Sequence, residues 1–258
     1  MRIALQSELR RTLLLMRRYP TETAAQIILA VVSFYALALG GRFMAGGTLL
    51  GTRMTDLIIG YVLWMLVLNT VGDMGFGIAE EAENGTLEQL FLSPLGPLRL
   101  FLMRAVITLG TSLVFIICVL IGILLLTGIR LRLELVQLIP FSLALLVALA
   151  LGLLVASLAI VFKRVSQALS IIQFGFVFLL MIPFDTGGPL LAFVGHFVPL
   201  VPMFSLLRQM LHHPAGFAGG GLLLFWSMVN TLVWLLVGLI TFQQATNAAR
   251  HHGTIGHY

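Results

Sequence analysis

Only ten of the 258 residues are acidic, and four of these, Glu80, Glu81, Glu83 and Glu88, fall within 80–100, EEAENGTLEQLFLSPLGPLRL. This is the longest strongly polar interruption between apolar runs, and carboxylates concentrated there mark a working surface. Asn84-Gly85 is a turn signal. Thr86 and Gln89 have the spacing of a capping box, and Pro94 and Pro97 stop continuation, so a short helix is written between them. Leu87, Leu90 and Phe91 stand three and four apart and share one face of it, while Glu88 and Gln89 project elsewhere. The expectation is a short amphipathic helix between two membrane spans, presenting an apolar ridge to something outside the bilayer.

Other chemistry-bearing residues are few. Asp73 lies in Gly72-Asp73-Met74-Gly75-Phe76-Gly77, at the far end of an apolar run. An Asp at a helix centre costs about 2.5–3.5 kcal/mol on an insertion scale, so Asp73 is expected to face protein or water, on a substrate path, at a hinge, or as an interfacial helix-end carboxylate. Gln167, Ser170 and Gln173 recur every three residues and form a polar stripe, read as helix-to-helix glue or as pathway lining. Lys163-Arg164 forms a very short basic loop. His212 and His213 are adjacent rather than at i, i+4, which disfavours a metal site. The single lysine, Lys163, sits in no G-x-x-x-x-G-K-[ST] pattern, so the chain carries no P-loop of its own. Neither H-E-x-x-H nor G-x-S-x-G occurs, and with them go the common metalloprotease and serine hydrolase readings. No metal, cofactor or catalytic constellation is expected in this chain.

The elements that must position these residues are membrane spans. The chain is 59% hydrophobic and 10% charged, against about 25% charged in a soluble domain. A helical span takes about 20 apolar residues, and the apolar length allows six, placed near 21–39, 56–79, 100–127, 135–162, 167–183 and 222–242. Before them, 1–20 carries Leu5, Leu9, Leu13 and Met16 on one side and five arginines around the rest, the pattern of a helix lying on an anionic leaflet. Between 184 and 214 glycines and prolines interrupt the apolar chain. Leu190 to Val198 and Met203 to His212 are expected as two short helices dipping part-way into the membrane, permitted where protein covers their backbone. The only cysteine, Cys118, lies in an apolar run and implies no disulfide. The net charge of +5 is explained by span orientation and not by nucleic acid: with six spans, ten Lys and Arg fall on the side of the termini and five on the other. That bias makes both termini and the 80–100 segment cytoplasmic.

The stretch E-x-x-x-G-T-L-E-Q-L-x-x-S-P, Glu81 to Pro94, followed by a basic entry to the third span, resembles the first cytoplasmic loop of ABC-2 type transporter permeases, and the layout of the whole chain is similar to theirs. The resemblance implies an all-α six-span domain over 21–258, with a coupling loop at 80–100 and a re-entrant outer segment at 184–214. It implies a dimer with a second copy or a paralogue, ATP and Mg held by separate ATPase subunits, and export across the cytoplasmic membrane. It would make Asn84 to Ser93 a coupling helix, with Glu81, Glu83, Gly85, Thr86, Leu87, Glu88, Gln89, Leu90, Phe91, Ser93 and Pro94 at the ATPase contact and Lys163 and Arg164 as a secondary one. Asp73, Gln167, Ser170 and Gln173 are the candidate path residues. The resemblance implies a drug-like, lipid-like or lipid-linked polysaccharide substrate, and with no basic cluster inside the spans an amphipathic or hydrophobic one is expected. The alternatives are a non-transporting anchor that recruits a soluble partner, and an ion-coupled carrier or channel.

Overall fold

The computed structural model describes residues 18–44, 52–83, 97–129, 131, 134–162, 170–171, 173–175, 182, 184, 187–212 and 220–251. Among these every regular element is helical. They are α1 (Pro20–Met44), α2 (Thr52–Glu83), α3 (Pro97–Thr127), a single 3₁₀ turn (Leu135–Gln137) leading into α4 (Leu138–Val161), α5 (Pro189–Phe197), α6 (Val201–His212) and α7 (Gly221–His251). Five helices are long and apolar enough to cross a membrane, or six if the bent pair α5 and α6 is one span. The amino-terminal segment 1–17, the loop 84–96, the basic loop 163–166, Gln167 and most of the expected span 167–183 lie outside the described residues.

Several helices run further than their apolar cores. α1 continues through Gly40-Gly41 to Met44, because a glycine inside a helix costs only about 1 kcal/mol and does not stop it. α2 runs on through Gly72, Gly75 and Gly77 and takes Glu80, Glu81 and Glu83 into its last turns. At 1.5 Å per residue it is roughly 48 Å long, well beyond an apolar layer of about 30 Å, so one or both of its ends lie outside hydrocarbon. Pro97 opens α3 instead of ending the preceding turn; its missing N–H is harmless at the first helical position. The candidate spans end at Ile78 and resume at Arg99, although the helices themselves run on to Glu83 and begin at Pro97. α7 likewise extends past 242 to His251.

Burial separates the spans into two groups. In α2 and α4, 67% and 72% of the residues of the most apolar stretch are buried, against 22% in each of α1, α3 and α7. The outward faces of these last three carry Leu29, Val106, Leu125 and Leu232, as helices meeting lipid do. The main core joins Leu63, Leu66, Val67 and Val71 of α2 to Val147, Ala148, Leu153 and Ala156 of α4 and to Phe242 of α7. A second cluster holds α1 to the bundle through Phe34, Ile58, Tyr61, Val119 and Ile123. There the Tyr61 hydroxyl donates to the Ala30 carbonyl (2.5 Å), and the Tyr35 hydroxyl donates to that of Leu126 (3.1 Å).

The most extensive helix pair is α4 with α7. Its closeness rests on Gly238: a Cβ there would stand 2.6 Å from the Ala150 carbonyl oxygen and 3.1 Å from its Cα. Small residues let backbones approach where lipid tails supply no hydrophobic drive between helices. Hydroxyls on these helices are absorbed locally. Ser157, Ser227, Thr231 and Thr241 each donate to a carbonyl one turn back, which lets them sit in an apolar setting without stray donors.

Candidate functional site

The break between α5 and α6 is built, not frayed. The two helices meet at 110°. Leu200, at the corner, is fully buried and takes φ 71°, a conformation that costs a residue with a Cβ about 1–2 kcal/mol. The carbonyls left over at the end of α5 are met by side chains of α7. Asn230 Nδ2 donates to the carbonyls of His196 (2.8 Å) and Val198 (3.1 Å), and Trp234 Nε1 donates to that of Phe197 (3.0 Å). Asn230 and Trp234 stand four apart on one face of α7, so a single helix face caps the break. The His196 ring packs edge-on against Trp226, centroids 4.7 Å apart.

α6 is then fastened to the start of α2. Arg208 Nε lies 2.9 Å from Asp56 Oδ2, and His212 Nε2 lies 2.7 Å from Asp56 Oδ1, so one carboxylate holds two residues a helical turn apart. Neither Asp56 nor Arg208 was singled out from sequence, and His212 was considered there only for metal binding. The usable signal was Arg208 and His212 at i, i+4 beside an acid opening a span. The Asn230 and Trp234 pair carries the same kind of signal.

At the opposite end of α2, Glu81 forms an ion pair with Arg104 of α3, tying the two helices that flank the 84–96 loop. Glu80 is exposed on the same last turns. Of the residues expected at the ATPase contact, Gly85, Thr86, Leu87, Glu88, Gln89, Leu90, Phe91, Ser93, Pro94, Lys163 and Arg164 lie outside the described residues, as does the side chain of Glu83.

The described path residues meet different neighbours. Gln173 Nε2 donates to the Leu68 carbonyl (3.2 Å) and sits where a Cβ on Gly72 would come within 3.1 Å of it. The missing side chain at Gly72 is what lets this glutamine reach the α2 backbone. Ser170 is half-buried, and Gln167 lies outside the described residues. Asp73 instead lines a cavity of about 560 Å³ between the first turns of α1, the second half of α2 and the middle of α3. Its polar lining includes Glu22 and Gln26 from α1, Asn69 from α2, and Thr111 and Ser112 from α3. Sequence reading found Asp73 but not Glu22, Asn69 or Ser112, which come together only when three helices pack.

The sequence profile described as ABC-2 family transporter protein matches residues 47–242. The chain belongs to the ABC-2 transporter family. No curated protein and no solved structure matches it. The permease is thus a membrane-integral component of an ABC transporter; such a domain is not itself catalytic, and an ATPase on a separate subunit is the general pattern. The matched region takes in the 84–96 loop, the broken α5–α6 pair and most of α7, and begins after α1. In this ABC-2 permease the α1 wall of the cavity, with Glu22 and Gln26, therefore lies outside the part that carries the family signature. Among the described residues no three His, Cys, Asp or Glu side chains converge as a metal site. What the arrangement can do is mechanical and selective: a latched corner between α5 and α6, an ion-paired pair of helices at the loop end, and a polar cavity between α1, α2 and α3.

Proposed function

We propose that the chain is the permease subunit of an ATP-driven exporter in the cytoplasmic membrane, working as a dimer with a second copy or a paralogue. The observation that carries this reading is the family match over 47–242, joined to a bundle whose two ends are fastened differently. Both termini and the 84–96 loop face the cytoplasm. Residues 84–93 seat in a groove of a separate ATPase that holds ATP and Mg, with Leu87, Leu90 and Phe91 as the apolar ridge, Glu88 at the rim and Lys163-Arg164 as a secondary contact. α2 and α3 flank that loop as long helices, so a push on it moves both together through the Glu81–Arg104 pair. At the other end α5 and α6 act as re-entrant half-helices that cover the outer mouth, latched by Asp56. Membrane lipids are partners along α1, α3 and α7; nucleic acid is not.

The test is co-purification with ATPase subunits from the same source, comparing the native chain with Phe91→Asp and reading ATP hydrolysis on the complex. The native chain is expected to bring down an ATPase and Phe91→Asp to lose it while keeping its own thermal transition. Normal association in Phe91→Asp overturns the coupling role of 84–93. A folded native chain that binds no ATPase returns the reading to a membrane anchor, a channel or an ion-coupled carrier.

A further inference from the structure

Among the described residues many helical hydroxyls are bonded within their own helix: Ser33, Thr127, Ser157, Ser227, Thr231 and Thr241 all donate one turn back, while Thr70, away from the cavity lining, is buried without a partner. Ser112 is 4% exposed and its Oγ has no partner, and the buried Asn69 Nδ2 has none either. Both residues line the cavity between α1, α2 and α3. A buried polar group left unpaired costs about 1–3 kcal/mol, and an apolar residue at either position would avoid that cost. Two unpaired groups converging on one cavity are what a site looks like when its polar contacts belong to a ligand.

The charge of the lining says which ligand. Glu22 and Asp73 bring two carboxylates to the cavity, and among the described residues no Lys, Arg or His lines it. Neither acid has a salt-bridge partner among the described residues, in contrast to Asp56 and Glu81. Arg18 lies over the ring of Tyr19, a lining residue, 5.7 Å from its centroid, so this ring already takes a cation against a face. Ile27, Val114 and Phe115 add an apolar part to the wall, and about 560 Å³ lies within the usual range of roughly 300–1,000 Å³ for small-molecule sites. Phe115 offers a second ring to a positive charge.

We propose that this cavity binds a lipophilic organic cation, a single positive charge on an apolar body, held between Glu22 and Asp73 with Phe115 and Tyr19 against it and Asn69 and Ser112 filling its polar contacts. This deepens the exporter reading by naming a substrate class and its site, and rests on that reading for transport though not for binding.

The test uses the native full chain in detergent, without ATPase, and two probe ions of matched size and opposite sign, tetraphenylphosphonium and tetraphenylborate. Cys118 is the only cysteine and lines the cavity, so it reports occupancy directly. Tetraphenylphosphonium is expected to bind saturably and to slow maleimide labelling of Cys118, and tetraphenylborate to do neither. Glu22→Gln and Asp73→Asn, which keep shape and remove charge, are each expected to weaken binding about tenfold. Val114→Trp leaves both acids in place and fills the space, and is expected to remove binding and Cys118 protection together. No saturable binding, equal binding of the two ions, or unchanged binding in the Glu22→Gln, Asp73→Asn double variant overturns the proposal. Because no ATPase is present, loss of cation binding leaves the coupling experiment untouched, and failure of co-purification leaves the binding result standing.

Discussion

The α4–α7 seam and the α1–α2–α3 cavity treat the membrane interior in opposite ways. Along the seam, Gly238 brings two backbones together until a Cβ has no room, and every hydroxyl named there is bonded within its own helix. In the cavity, space is left open, two acids face it and two buried polar atoms go unpaired. Packing density is where apolar interiors gain stability, and each unpaired polar group takes some of it back. The seam is thus the part of the bundle that must stay rigid. The cavity keeps a cost that a structure selected for stability alone would have removed.

This contrast is open to direct attack by substitution. The largest effect is expected in the seam. Gly238→Leu drives a side chain into the Ala150 backbone, which cannot rotate away, and should cost about 3 kcal/mol or more; the readout is loss of a monodisperse detergent peak or a much lower thermal transition. A variant that keeps the native transition would show that the seam is not close-packed. Next comes the part of the same helix nearer its amino-terminal end. Asn230→Leu strips donors from the His196 and Val198 carbonyls at the α5–α6 corner and should cost about 2–3 kcal/mol, seen as faster proteolysis of the 189–212 region than of α2. Uniform protection of both would mean that the corner does not depend on α7.

Asp56→Asn leaves a weaker, uncharged acceptor for Arg208 and His212. Because Arg208 is partly exposed, the expected loss is only about 1 kcal/mol, measured as a modest drop in thermal transition that high salt diminishes. The smallest effect should have the opposite sign. Ser112→Ala deletes an unpaired hydroxyl without disturbing any bond and is expected to raise stability by up to about 1 kcal/mol. Destabilisation by this change would break the comparison at its root, since it would mean that Ser112 is part of the packing.

Local pattern and global assembly divide cleanly over particular residues. The sequence alone determined that the chain is helical and membrane-integral, because apolar runs longer than about 20 residues admit no other backbone arrangement in lipid apart from a closed barrel. It also determined the break between α5 and α6, since Pro189, Pro199 and Pro202 act on their own neighbours; the expected 190–198 and 203–212 became Pro189–Phe197 and Val201–His212. It raised Asp73, because a lone acid in an apolar run stands out in any reading. Helix ends were less legible, since the glycines of α2 weaken a helix without stopping it and Pro97 can begin one as well as end one. What only tertiary structure decided is which polar residues meet. Asp56 finds Arg208 and His212 across more than 150 positions, Asn230 finds the end of α5, and Asp73 finds Glu22 and Ser112 instead of Gln173. Such pairings depend on the rotation and order of packed helices, to which the one-dimensional period of a uniformly apolar span is nearly blind, because a helix apolar on every side does not announce which face it will turn inward.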